Sequence, residues 1–213
     1  MTTDNPQPTV YVVDDDADIR TSIQWLLESV GLKVGTFESA EAFFESGAFR
    51  EPGCLLLDVR MPGIGGMRLL DKLNAEGSVM PVILLTGYGE VSMAVQSMKS
   101  GAFDFLEKPV NHQRLIERVQ EALAQDEQNR QRVAESSETE AMLALLTKRE
   151  REILDHLVEG RSSRVVAEIL GISERTVEKH RERLISKMNA RTVVQLVRRV
   201  TEYRASQARH GTS

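Results

Sequence analysis

Residues 53–63 read GCLLLDVRMPG. Cys54 to Leu57 form a short, uninterrupted apolar run, the pattern of a strand buried on both faces. The run ends on Asp58, and the chain turns at once through Met61, Pro62 and Gly63. A carboxylate at the edge of a core is costly unless it is paired, bound to a metal or reactive. The residues that could share its site decide which.

The segments on either side alternate in character. TVYVV (9–13), KVGTF (33–37), CLLLD (54–58), PVILLT (81–86) and FDFLEKP (103–109) read as strands or hold one. Between and after them come stretches of helical period. Ile19, Ile23, Leu26, Leu27 and Val30 stripe the first, which Gly31 closes, and Phe43 and Phe44 follow Ser39 in the second. Leu69, Leu70 and Leu73 mark the third, VSMAVQSMKSGA (91–102) is the fourth, and Leu115, Ile116, Val119 and Leu123 stripe the fifth. Five strands alternating with five helices describe a parallel sheet covered on both faces, an α/β fold. Ligands of such sheets sit beyond the carboxyl ends of the strands. Asp14, Asp15 and Asp16 stand there after the first strand, Asp58 after the third, Thr86 after the fourth and Lys108 after the fifth.

Several carboxylates at one sheet edge call for a cation, and an oxygen-only donor set suits Mg²⁺. Lys108 and Thr86 supply what a tetrahedral anion needs, a point charge and a hydroxyl. Metal, carboxylate, hydroxyl and ammonium together describe phosphoryl transfer, with Asp58 as the nucleophile that forms an acyl phosphate.

Charge divides the chain. Residues 1–124 hold 10 Lys+Arg against 18 Asp+Glu, and residues 147–213 hold 15 against 9. An acidic front and a basic back suggest two domains with different partners, the back one meeting a polyanion. No apolar run is long enough to span a membrane, the N-terminus lacks a secretory pattern, and the single Cys54 falls in an apolar strand. A reducing, cytoplasmic setting is expected, with no membrane partner.

Residues 125–141 are rich in Gln, Glu, Arg and Ala and read as a solvated helical extension. Beyond them only helical patterns remain. Thr147 and Glu150 form a capping box before Ile153, Leu154, Leu157 and Val158, and Gly160 ends that helix. SSRVVAEILG (162–171) is a short helix. Ser173 caps the next, 173–188, with Val177, Leu184, Ile185 and Met188 inward. Thr192 caps a last helix, 192–204, and the tail from Ala205 is expected to fray. A short helix, the turn GIS and a basic helix make a helix-turn-helix pattern.

VVDDD, LLLDVRMPG, LLTGYG and FLEKP, in that order, resemble the receiver domain of two-component response regulators over residues 9–124. The run from LTKREREIL to LISKM resembles the LuxR-type DNA-binding domain over about residues 146–203, and the pair resembles the FixJ/NarL group. The resemblance implies a flavodoxin-like (βα)5 receiver over 1–124 with strand order 2-1-3-4-5. A helical linker over 125–145 and an all-α four-helix helix-turn-helix domain over 146–213 would follow. It implies Asp58 as phosphoacceptor, Asp15 as direct Mg²⁺ ligand, Asp14 as its water-mediated companion and the Arg60 carbonyl as a further ligand. Thr86 and Lys108 would bind phosphoryl oxygens, and Thr86 and Phe105 would form the switch. Lys108-Pro109 resembles the family's cis peptide, and Asp16 is given no direct metal role. In the basic helix, Glu178, Lys179 and Glu182 sit where the family reads bases. Arg175, Thr176, His180, Arg181, Arg183 and Lys187 are candidates for phosphate contact or nearby readout. Val165 replaces an acidic residue common in the family. Val193, Leu196, Val197 and Val200 would serve the core or a dimer seam.

The resulting expectation is a transcriptional regulator rather than an enzyme. A partner histidine kinase phosphorylates it, the surface of helix 90–100 and strand 103–106 dimerises, and it binds promoter DNA, with RNA polymerase as a further partner and activation the commoner outcome. Two alternatives stay open: a regulator whose helical module binds a protein or RNA, and a Mg²⁺-dependent aspartyl-phosphate phosphohydrolase. Such hydrolases often carry a second Asp two residues after the nucleophile, where this chain has Arg60.

Overall fold

A computed structural model describes residues 7–87 and 100–210, with side chains through Ala208. The apolar runs named above become strands β1 (Thr9–Val13), β2 (Lys33–Phe37), β3 (Gly53–Asp58), β4 (Val82–Thr86) and β5 (Asp104–Glu107). They form one parallel sheet in the order β2-β1-β3-β4-β5. Helices α1 (Ala17–Ser29), α2 (Ala40–Ser46) and α3 (Gly66–Ala75) connect the first four strands, and α4 (His112–Ala144) follows β5. The expected helix 91–102 falls largely outside the described residues.

Alternation along the strands divides the core between two faces. Tyr11, Val13, Leu55, Leu57 and Leu84 pack with Phe43 of α2 and Leu69, Leu70 and Leu73 of α3. Val10, Val12, Cys54, Leu56, Ile83 and Leu85 pack with Ile23 and Leu27 of α1 and Leu115, Val119 and Ala122 of α4. The central β3 is buried along its whole length, which is why its sequence is an apolar run rather than an alternation.

The helix after β5 runs from His112 to Ala144, so residues 125–144, expected as a helical extension, continue it. Asp126, 2% exposed, accepts from the Gly53 backbone N–H at 2.9 Å and from Arg130 Nε at 2.8 Å. Arg130 also donates to the carbonyls of Arg50 and Glu51, and Asn129 donates to that of Val79. These bonds satisfy backbone groups at the amino ends of β3 and β4 that water would otherwise have to reach. The chain divides into two units between Arg130 and Gln131, and Met142 and Leu143 of the same helix pack on the core of the second. Asp126→Ala should lower stability by about 1–3 kcal/mol in urea unfolding and speed amide exchange at Gly53. Unchanged exchange there would contradict the anchor.

The second unit contains α5 (Lys148–Val158), α6 (Ser163–Leu170), α7 (Glu174–Lys187) and α8 (Val193–His210). Ile153, Leu154, Leu157, Val166, Val177, Leu184, Met188, Leu196 and Val200 fill its core. The Thr147–Glu150 capping box is present, and Ser162 and Ser173 cap α6 and α7. The last helix continues through His210, so the expected fraying from Ala205 gives way to helix.

Candidate functional site

The carboxyl ends of the strands bring Asp14, Asp58, Thr86 and Lys108 to one edge. Asp14 and Asp58 are 1% and 6% exposed, and Thr86 is buried at the end of β4. Lys108 Nζ bridges the two carboxylates, at 2.6 Å from Asp14 Oδ2 and 2.5 Å from Asp58 Oδ1. Its backbone N–H donates to the Thr86 carbonyl at 2.7 Å, which fixes the lysine stem beside β4. The Lys108-Pro109 peptide is cis.

Burial pushes the Asp58 carboxyl up from its ordinary range, and the Asp14 charge adds to this, against the hydrogen bond and charge of Lys108. For Lys108, burial alone would lower the ammonium. Its bonds to Asp14 and Asp58 outweigh that and hold it above the usual value. The ammonium therefore stands as a proton-bearing counter-ion between two acids.

The turn after β3 is built for close approach. A Cβ on Gly66 would lie 2.3 Å from the Asp58 carbonyl oxygen, so only glycine lets α3 start against the strand end. Gly63 has φ +74°, and Glu41 of α2 accepts from the Ile64 N–H at 2.8 Å, which pins the same turn. The Arg60 N–H donates to the Asp58 carboxylate. Met61-Pro62-Gly63 thus leads the chain away and leaves the carboxylate facing outward from the strand.

Asp15 is exposed beside this pair. Asp16 caps α1 through the N–H groups of Asp18 and Ile19, which accounts for its acidity without a metal. Among the described residues no three His, Cys, Asp or Glu side chains are gathered closely enough to hold a metal ion. The donors that the resemblance assigns to Mg²⁺, namely Asp14, Asp58, Asp15 and the Arg60 carbonyl, are all oxygens, and of these Asp14 and Asp58 are the two that Lys108 brings together. An oxygen-only set suits a hard divalent cation by its chemistry, and Lys108 pairs with both buried carboxylates. Phe105 is half-buried against the α2–α3 side of the core.

In the second unit, Arg175, Thr176, Glu178, Lys179, Glu182 and Arg183 are exposed on α7. Three expected contact residues are drawn inward. Lys187 Nζ bonds Glu150 Oε2 at 2.7 Å and the Leu145 carbonyl at 3.2 Å, and so serves as a structural cation rather than one free for DNA. Arg181 bonds Ser163 and Glu178, and the Nδ1 of His180 is buried without a hydrogen bond. Arg175, Lys179 and Arg183 have no partner among the described residues and remain the cations open to a polyanion. Val165 is 41% exposed on α6. On α8, Leu196 and Val200 are core and Val193 and Val197 pack against it, while the neighbouring Val194 is 79% exposed.

Comparison with known proteins agrees with both units. Residues 10–120 match the response regulator receiver domain, and residues 144–200 match the luxR family of bacterial regulatory proteins. The chain is 44% identical over 189 residues to the transcriptional regulatory protein TdiR of Thauera aromatica, covering 89% of this chain and 83% of that protein. It is 47% identical over 190 residues to the transcriptional regulatory protein FixJ of Azorhizobium caulinodans, covering 89% and 90%. Among solved structures, the response regulator StyR matches with a TM-score of 0.79 at 37% identity, over 92% of this chain and all of that one.

Proposed function

Because this chain belongs to the two-component response regulators that join a receiver domain to a LuxR-family DNA-binding domain, we propose that phosphorylation of Asp58 switches its binding to promoter DNA. The observation that carries this reading is the buried Asp14–Lys108–Asp58 bridge at the end of β3. A carboxylate oxygen of Asp58 attacks the phosphorus of a phosphohistidine on a partner histidine kinase. The P–N bond breaks, an acyl phosphate P–O bond forms and the imidazole leaves. Asp15, Asp14, Asp58 and the Arg60 carbonyl would hold Mg²⁺, which when bound would supply positive charge to offset that of the phosphoryl oxygens. Lys108 moves from its carboxylates to a phosphoryl oxygen, and the Thr86 hydroxyl takes another.

The drawn-in Thr86 lets Phe105 repack, which biases a two-state receiver toward dimerisation. Two α7 helices then reach successive half-sites, with Arg175, Lys179 and Arg183 at the phosphates. The regulator acts in the cytoplasm and raises transcription through RNA polymerase. No helix among the described residues is long and apolar enough to cross a membrane. Incubation with a small phosphodonor and Mg²⁺ should add one phosphoryl group to the full chain by intact mass, and Asp58→Ala should add none. Equal labelling of the variant would overturn Asp58 as the acceptor.

A further inference from the structure

Ser163, the first residue of α6, is 5% exposed. Its hydroxyl donates to Glu178 Oε1 and accepts from Arg181 Nη1 at 2.5 Å, while Arg181 Nη1 also donates to Glu178 Oε1 at 3.0 Å. One proton and the lone pairs of a single hydroxyl thus join an acid and a base across the two helices of the helix-turn-helix. Glu178 is only half enclosed: its side chain is 51% exposed, and Oε2 has no partner among the described residues.

Resting on the DNA-binding reading above, we propose that Ser163 is a positioning residue for base recognition. With Arg181 it holds Glu178 so that Oε2 alone is presented, as an acceptor for one base-edge amino group, that of cytosine N4. Three physical points support this. A free glutamate loses several torsions when it orders on binding, and the triangle orders them beforehand. A bare carboxylate is repelled by nearby phosphates, and the Arg181 guanidinium offsets that charge. A carboxylate with one oxygen committed inward offers its other oxygen to a donor, and in the major groove cytosine presents a donor where guanine presents acceptors. Arg181 thereby acts through Glu178 rather than as a phosphate contact.

The test is selection of bound duplexes from a random-core DNA library by the full-length protein with phosphodonor and Mg²⁺. The wild type should enrich a motif with cytosine at one position. Ser163→Ala should still bind but relax that preference roughly tenfold, with the salt dependence of affinity unchanged because phosphate contacts are untouched. Ser163→Thr, which keeps the hydroxyl, should retain the preference. Glu178→Gln keeps Oε1 on Ser163 and turns an amide donor outward, so its preference should move to the acceptor edge of guanine. That isosteric variant at a half-exposed position carries the test if Ser163→Ala fails to fold. An unchanged motif in Ser163→Ala or in Glu178→Gln overturns the inference, as does a wild-type motif with no cytosine preference. A wild type that enriches no motif overturns the DNA-binding reading and this inference together.

Discussion

Glu150→Ala should cost the second unit roughly 3 kcal/mol at neutral pH, a large share of the stability of a small domain. Glu150 is 3% exposed, yet it closes the Thr147 capping box and pairs with Lys187. Burial by itself would raise its carboxyl. The Lys187 hydrogen bond and the two from Thr147 overcome that and hold it at about 2. Truncation leaves the Thr147 N–H without its acceptor and Lys187 without its counter-charge. The pH dependence has a definite sign. A carboxyl depressed in the folded state adds stability that is complete above its unfolded value near 4.5 and is lost as pH falls toward about 2. Urea unfolding of the wild type should therefore lose roughly 3 kcal/mol more than the Glu150→Gln variant across that window. Parallel curves would contradict the assigned role.

The second large effect is expected at Lys108, and it has two opposite parts. Lys108 pairs with both Asp14 and Asp58 in the structure and offsets part of their charge. Lys108→Ala leaves two buried carboxylates facing each other, so Mg²⁺ should bind more tightly, having no ammonium to displace. Phosphorylation by a small phosphodonor should nonetheless slow by about 10²-fold, since a preorganised donor to the transferring oxygens is gone. Metal titration and an intact-mass time course separate the two. A rate equal to that of the wild type at saturating Mg²⁺ would remove Lys108 from the chemistry.

Much of this site is legible along the chain because each of its residues ends a strand. A parallel sheet gathers strand ends by topology alone, so Asp14, Asp58, Thr86 and Lys108 meet although they lie far apart in sequence. The direct lysine bridge is less legible, since it depends on side-chain reach rather than on order. The expected helical stretch after residue 124 is helix, and the buried anchor within it is legible in the spacing. Leu115, Val119, Ala122 and Asp126 follow one another at spacings of four, three and four, so Asp126 continues the buried stripe of α4. Its charge hides a position that the periodicity marks as inward. Arg181 and Lys187 repeat the lesson on α7. Arg181 lies four residues after the buried Val177 and three before the buried Leu184, and Lys187 lies three after Leu184. Their basic character suggests DNA, while their spacing sets them beside the core. Nothing in the sequence announces that Ser163 reaches Glu178, because that contact depends on how α6 and α7 cross.

The measurement that most directly tests phosphorylation-controlled DNA binding is recovery of genomic DNA fragments by the full-length protein. It is run with and without a small phosphodonor plus Mg²⁺, beside Asp58→Ala. A shared set of sites recovered only by the phosphodonor-treated wild type is the predicted result. Equal recovery under every condition and by the variant would contradict it, leaving a DNA-binding protein that Asp58 does not control.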